Sequence, residues 1–174
     1  LEDTGTDIIT CPLASEIRPV LIAECCRALC DLNRPETALD PLLIDEITPS
    51  SDKIFTPHIK AGYGVIPRLS AKRLPLYNVP PTYNSIERRI NLWHRPYHAL
   101  ISQTLDEALQ IFQKSLLLDI HSMPQSSPDL ADIVIGDMNG HSASKEFSDL
   151  IKKELKKFNL TFSMNTPYAG GFIT

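Results

Sequence analysis

The chain has 174 residues, of which 43% are hydrophobic and 22% charged, and its formal net charge is −4. These values are ordinary for a globular protein, and this length suits one compact domain. Net negative charge argues against nucleic acid as a partner, because phosphate backbones attract basic surfaces. No stretch approaches the roughly 18 apolar residues of a membrane span. The composition therefore predicts a globular protein that binds neither nucleic acid nor membrane.

All four cysteines lie within the first thirty residues, at positions 11, 25, 26 and 30. A disulfide framework would spread cysteines along the chain, so we expect reduced thiols in a cytoplasmic protein. Cys26 and Cys30 lack a second Cys or His cluster at the spacing of a structural zinc site. We therefore expect the thiols to pack as small side chains in the core.

The N-terminal half is predicted to contain few regular elements. The residues after Asp7 have the apolar spacing of a short helix, and the run at 20–25 predicts a strand. Residues 35–81 are irregular and rich in Pro, Ser, Thr and Asp. A loop of this length is usually functional, so we expect lids and walls over a site. Gly62 and Gly64 are either hinges in this loop or ordinary turn residues.

A long helix is predicted from Asn84, because Asn84 and Glu87 form a start that resembles a capping box. Pro96 lies inside the helical pattern and should kink or divide the helix. The apolar residues at helical spacing are Ile86, Ile90, Trp93, Tyr97, Leu100, Ile101, Leu105, Leu109 and Phe112.

The C-terminal part alternates between strands and a helix. Residues 116–120 are apolar apart from Asp119, as expected for a central strand covered on both faces. Residues 133–135 and 160–164 predict two further strands, and Ser144 is placed to cap the helix between them. The apolar residues of that helix are Phe147, Leu150, Ile151, Leu155 and Phe158. The alternation predicts an α/β fold with helices on both faces of the sheet, that is, three α/β/α layers.

Two segments carry candidate functional residues. His121 follows the apolar run at 116–120, where open α/β sheets place ligands, and Asp119 could orient its imidazole. A histidine satisfied by a backbone carbonyl is the alternative for His121. The segment at 27–34 places two arginines and an asparagine after another apolar run, and such side chains suit an anionic substrate. A solvated turn explains this segment equally well.

Six segments together resemble the N-formylglutamate amidohydrolase family, relatives of the zinc carboxypeptidases and aspartoacylases. They occur in the family's order and cover nearly the whole chain. They are D-T-G-T-D at 3–7, R-A-L-C-D-L-N-R at 27–34, H-R-P-Y-H at 94–98, D-I-H-S-M-P at 119–124, D-I-V-I-G-D at 132–137 and N-T-P-Y-A-G-G at 165–171.

The family's usual first strand, with a His-Ser-Gly-like ligand motif, is not found in the sequence. Nor is its last strand, which carries a general-base glutamate. We therefore expect residues 1–174 to be a single domain that is the middle of a larger enzyme, incomplete at both ends. Alone, this chain should bind zinc weakly and hydrolyse its substrate slowly or not at all.

The resemblance implies a zinc carboxypeptidase-like fold with a mixed, mostly parallel sheet. It also implies zinc-dependent hydrolysis of a small anionic substrate, an N-formyl or N-acyl acidic amino acid. The expected reaction is N-formylglutamate and water giving formate and glutamate, in histidine degradation. A non-catalytic member or fragment that keeps only the anion pocket is the alternative.

The resemblance assigns His121 as a zinc ligand and Asp3 as the candidate carboxylate ligand, with Asp7 as the alternative. An acidic turn before a helix also explains the two aspartates. Arg27 matches the arginine that polarises the scissile carbonyl. The resemblance also implies that Asn33 and Arg34 hold the substrate's α-carboxylate. We expect Arg27, Asn33, Arg34 and His121 to converge on one cleft.

Arg95 and Tyr168 are further candidates for substrate binding. Arg95 either contacts a side carboxylate or pairs with an acidic residue of the chain. Tyr168, with the following glycines, is expected on a loop that closes over substrate. His94 and His98 share a helix face, but Arg95 replaces the glutamate of an H-E-x-x-H box, which excludes a zincin site.

Overall fold

The computed structural model of the protein describes residues 6–15, 19–44, 56–123 and 129–173. The chain divides into two compact units, an N-terminal unit at Leu1–Leu116 and a C-terminal unit at Leu117–Thr174. Within the described ranges, every helix is too short or too polar to cross a membrane.

Short helices and loops make up most of the N-terminal unit. The predicted helix after Asp7 is confirmed as α1, followed by a 3-10 turn. Thr56 caps α2 by accepting a hydrogen bond from the Ile59 N–H through its side chain. The elements are α1 (Thr6–Thr10), the 3-10 turn (Cys11–Leu13), α2 (Pro57–Lys60), α3 (Tyr83–Arg89), a π turn (Ile90–His94) and α4 (Arg95–Phe112).

The long predicted helix is confirmed over α3, the π turn and α4, but its start differs from the prediction. Thr82, not Asn84, is the N-cap, and its side chain accepts from the Ser85 N–H. Pro96 neither breaks nor ends the helix. It has no N–H to donate, and a π turn precedes it, in which the Arg95 N–H reaches back to the Ile90 carbonyl. The helix therefore absorbs the proline by a local change of hydrogen-bond register.

The segment expected to form lids contributes instead to the core of the N-terminal unit. Val65 and Ile66 are fully buried and pack with Ile86 and Ile90 of the long helix. The other members of this core are Cys25, Cys30, Leu32, Leu43 and Ile44. The lid prediction is therefore wrong for these residues, because irregular backbone can bury apolar side chains when its polar groups find partners.

Gly64 is a site of close backbone approach. A Cβ atom at Gly64 would lie 2.4 Å from the carbonyl oxygen of Ala38. The next residue, Val65, donates its N–H to the same oxygen at 2.8 Å. Gly62 has a φ of +85°, which favours glycine. Turn geometry and close packing therefore explain both glycines without a hinge.

The four thiols are free, but only two of them are buried. Cys25 and Cys30 lie in the core as predicted, whereas Cys11 and Cys26 are exposed, contrary to the prediction. Burial raises the pKa of Cys30 to about 12, which keeps the thiol protonated and unreactive at neutral pH.

The C-terminal unit contains a strand, a helix and a parallel strand. Strand β1 (Ile133–Ile135) is confirmed at the predicted residues, and β2 (Phe162–Met164) begins two residues later than predicted. They pair in parallel, with Ile133 opposite Phe162. Helix α5 (Lys145–Lys156) connects them, and its predicted cap is confirmed because the Ser144 side chain accepts from the Phe147 N–H. This is a βαβ arrangement, so the α/β class is confirmed.

The two other predicted strands are absent. Residues 20–25 and 116–120 have no strand structure, and Leu118 is 58% exposed. Apolar composition favours extended backbone, but a strand also needs a neighbour that accepts and donates its backbone hydrogen bonds. Neither run has such a neighbour within the described ranges. Both predictions are therefore wrong here, including that of a central strand that ends at His121.

We expect Gly64→Ala to lower the free energy of unfolding of the N-terminal unit by about 1–3 kcal/mol, because the added methyl group overlaps backbone that cannot easily move. Urea unfolding followed by fluorescence of the single tryptophan, Trp93, measures this change. Ala71→Ser adds one atom at an exposed position and is the control. Equal stability of the two variants would contradict the close approach.

Candidate functional site

Asp31 organises the D-L-N-R segment. Its side chain is only 7% exposed, and one carboxylate oxygen accepts a hydrogen bond from Arg27 Nη2 at 3.2 Å. The other oxygen accepts from the Asn33 N–H at 3.0 Å. Arg34 Nε lies 4.0 Å from the carboxylate. A buried carboxylate needs such partners. The contacts of Asp31 therefore bring three of the predicted site residues together, namely Arg27, Asn33 and Arg34.

The two guanidinium groups are held but still reach solvent. Arg34 donates from Nη1 to the Asn33 carbonyl at 3.0 Å and from Nε to the Tyr63 carbonyl at 3.3 Å. The side chains of Arg27 and Arg34 are 32% and 20% exposed. Partly exposed, oriented guanidinium groups are what binding of a small carboxylate requires.

His94 and His98 contact the same segment from the long helix. His94 Nε2 lies 2.7 Å from the Arg34 carbonyl oxygen, and His98 Nε2 lies 2.8 Å from the Leu32 carbonyl oxygen. Their ring centroids are 4.2 Å apart. Sequence reasoning treated the pair only as a rejected metal site and missed this role. Their i, i+4 spacing was the available signal, since it places both rings on one helix face.

Arg95 is engaged by acidic residues of the chain. Its Nε donates to Glu36 at 2.8 Å, and its Nη1 donates to Glu87, also at 2.8 Å. This is the second of the two alternatives that the sequence left open for Arg95. Its role as a substrate contact stays a prediction.

In the C-terminal unit, His121 is paired with Asp119 as expected from their spacing. His121 Nε2 lies 2.9 Å from Asp119 Oδ2. A carboxylate in this position fixes the ring of a metal-binding histidine, and the pair has that form. The described ranges bring together no group of three His, Cys, Asp or Glu side chains that could hold a metal. Asp3 lies outside the described residues, and Asp7 is exposed on α1.

Asp137 holds the loop that carries Tyr168. This buried carboxylate accepts hydrogen bonds from Asn165 Nδ2 at 2.8 Å, from the Gly140 N–H at 2.9 Å and from Ser148 Oγ at 3.0 Å. These donors, led by the Asn165 amide, hold the pKa of Asp137 below its usual range. Tyr168 lies on the tethered loop with its ring half exposed. Asp137 was missed as an organising residue, although it ends a matching motif.

Two comparisons with known proteins indicate the family of the chain. The sequence profile of the N-formylglutamate amidohydrolase family matches residues 1–174. The structure is similar to the crystal structure of N-formylglutamate amidohydrolase from Ralstonia eutropha JMP134, with a TM-score of 0.75 and 32% sequence identity. That similarity covers 83% of this chain and 54% of the other, so the chain spans about half of its relative's length. No curated protein sequence matches the chain.

The family profile and the structural similarity indicate the same protein family. The chain belongs to the N-formylglutamate amidohydrolase family.

We expect Asp31→Asn to lower the free energy of unfolding of the N-terminal unit by about 1–3 kcal/mol, because the neutral amide removes the buried negative charge that faces Arg27 and Arg34. Asp106→Asn removes an exposed carboxylate of α4 and should change stability by less than about 0.5 kcal/mol. Urea unfolding by Trp93 fluorescence compares them. Unchanged stability in Asp31→Asn would show that the carboxylate does not organise the segment.

The stability of the N-terminal unit should fall as the pH drops below about 6.5, the ordinary pKa of histidine. Burial lowers the pKa of His94. Burial, and to a smaller extent the positive charge of the nearby Arg34, lowers the pKa of His58. As the pH falls, the unfolded chain therefore binds protons at these histidines before the folded chain does. The stability that the two neutral histidines contribute is complete above pH 6.5 and is lost as the pH falls further.

Urea unfolding at pH 7.5, 6.5 and 5.5 measures this effect. His94→Gln should make the decline shallower, because it removes one of the two groups. An equally steep decline in His94→Gln would show that protonation of His94 does not contribute.

Proposed function

We propose that the complete protein hydrolyses N-formylglutamate, or a closely related N-acyl acidic amino acid, in a zinc-dependent reaction in the cytoplasm. The products are formate and glutamate. The observation that carries this proposal is the cluster of Arg27, Asn33 and Arg34 around the buried Asp31, in a chain of the N-formylglutamate amidohydrolase family. The substrate is a dianion, and the cluster offers oriented, partly exposed positive charge.

Arg27 is proposed to stabilise the oxyanion that forms when water attacks the formyl carbon. Asp31 orients it by a hydrogen bond of 3.2 Å, so the guanidinium would need little rearrangement during the reaction. A preorganised donor of this kind contributes several kcal/mol to the transition state, on the order of 3 kcal/mol for one donor.

Asn33 and Arg34 are proposed to hold the α-carboxylate. Arg34 is anchored by two backbone carbonyls, those of Asn33 and Tyr63. Arg95 and Tyr168 remain proposed substrate contacts. Because Arg95 is already paired with Glu36 and Glu87, it would have to bind substrate by exchanging these partners.

His121 and Asp3 are proposed to hold the zinc ion, with Asp119 orienting the His121 ring. Zinc, when bound, lowers the pKa of a coordinated water towards ~7 and so supplies hydroxide near neutral pH. Convergence of His121 with Arg27, Asn33 and Arg34 on one cleft stays a prediction, because His121 belongs to the C-terminal unit and the others to the N-terminal unit.

The complete fold is proposed to be a single domain of three α/β/α layers with a mostly parallel, zinc carboxypeptidase-like sheet. The parallel pairing of β1 and β2 across α5 and the TM-score of 0.75 support this proposal. Neither nucleic acid nor membrane is a proposed partner.

In the complete gene product, Arg34→Ala should mainly raise KM, because this arginine is proposed to bind the α-carboxylate equally in the ground and transition states. Arg27→Ala should mainly lower kcat, by about 100-fold, since its contact serves the oxyanion. Steady-state assays of formate release separate the two effects. Arg88→Ala, an exposed arginine of α3, is the control. The opposite pattern would exchange the two roles.

Chelation should abolish hydrolysis, and added zinc should restore it. His121→Ala should bind less zinc by elemental analysis, whereas His141→Ala, at an exposed loop position, should bind as much as the unchanged protein. If chelation leaves activity intact, the zinc assignment is wrong. If the metal-loaded protein binds N-formylglutamate but hydrolyses none, it is the non-catalytic member that keeps only the anion pocket.

A further inference from the structure

We propose that His94 and His98 are positioning residues that hold the backbone on both sides of Asn33 and so fix the orientation of the Asn33–Arg34 pair. This inference rests on the proposed function, since it assigns to the two histidines the alignment of the carboxylate-binding residues.

The two contacts lie at either end of the pair's backbone. His98 Nε2 meets the carbonyl oxygen of Leu32, the residue before Asn33, at 2.8 Å. His94 Nε2 meets the carbonyl oxygen of Arg34, the residue after Asn33, at 2.7 Å. A carbonyl oxygen only accepts hydrogen bonds, so both Nε2 atoms carry a proton and donate. The two peptide groups that contain these carbonyls are thereby restrained in orientation.

The histidines link two elements that are each anchored in the core. The helix that carries them is fixed by Ile86 and Ile90, which are almost fully buried. The segment is fixed at its start, because the Asp31 N–H donates to the Val65 carbonyl at 2.7 Å and Leu32 is buried. Residues 32–34 belong to no helix or strand. One backbone hydrogen bond, from the Arg34 N–H to the Asp31 carbonyl at 3.2 Å, closes a turn there, and the Leu32 and Arg34 carbonyls receive their hydrogen bonds from the two histidines.

Asp31 and the histidines restrain the segment differently. Asp31 holds the Asn33 N–H and the Arg27 side chain. The histidines hold carbonyl oxygens, which a carboxylate cannot do. Loss of the histidines should therefore misplace Asn33 and Arg34 while leaving the Arg27 contact intact. The expected kinetic consequence is weaker substrate binding with little change in the chemical step.

Glutamine is the informative substitution. Its Nε2 can donate a hydrogen bond from nearly the position of the imidazole Nε2, whereas leucine of similar size cannot donate at all. The test compares His94→Leu and His98→Leu with His94→Gln and His98→Gln, and with His141→Leu as the control at an exposed loop position. The complete, zinc-loaded gene product is used throughout.

Each leucine variant should raise KM for N-formylglutamate about 3- to 10-fold, the value of one lost hydrogen bond, with kcat within about twofold of the unchanged protein. The glutamine variants should recover most of this loss, and His141→Leu should match the unchanged protein. General destabilisation would act otherwise, because a smaller folded fraction lowers apparent kcat and leaves KM unaltered. Leucine variants with unchanged KM, or glutamine variants as impaired as the leucine variants, would overturn the proposal.

A second measurement does not depend on hydrolysis. In NMR spectra of the same proteins, the backbone amide resonances of Asn33 and Arg34 should shift in the leucine variants and return towards their original positions in the glutamine variants. If the unchanged protein hydrolyses nothing, the proposed function fails, and these resonances still decide the positioning role. Resonances that stay in place in His94→Leu and His98→Leu would reject it.

Discussion

The buried carboxylate of Asp31 is the constraint on which the candidate site depends. Removing a carboxylate from water is costly unless charged and hydrogen-bonding partners compensate. Arg27 and the Asn33 N–H supply that compensation at 3.2 and 3.0 Å, and Arg34 lies beside them. The backbone N–H of Asp31 is bonded to Val65 in the core. Packing of the core and alignment of the proposed substrate-binding side chains are therefore coupled through one residue.

A buried carboxylate also organises part of the C-terminal unit. Asp137 is buried at the end of a strand, and hydrogen bonds to its carboxylate tie Asn165 and Ser148 together. Its neighbour Gly136 lets the backbone at Ala169 approach closely. A Cβ atom at Gly136 would lie 2.8 Å from the Ala169 carbonyl carbon. In both units, a buried carboxylate and its hydrogen-bond donors thus hold a loop that carries candidate site residues. Such loops gain fixed geometry without belonging to a helix or strand.

The prediction succeeded where the deciding interactions are local. Ser144 caps α5 through the N–H three residues ahead. The long helix was likewise visible from its periodicity, and its start was misplaced by only two residues because Thr82 competes with Asn84 as the cap. The six motifs, read in order, were enough to identify the family.

The sequence by itself determined the family and the local helices, and it supplied the residue types of a proposed anion-binding site. The tertiary structure decided which helix residues hold the segment at 32–34, because those contacts join residues far apart in the chain. His94 and His98 reach carbonyl groups 60 and 66 residues away, and no local pattern encodes such a pairing. The failed strands at 20–25 and 116–120 have the same cause. An apolar run favours extended backbone, but only a strand that lies beside it in space can pair with its backbone N–H and C=O groups.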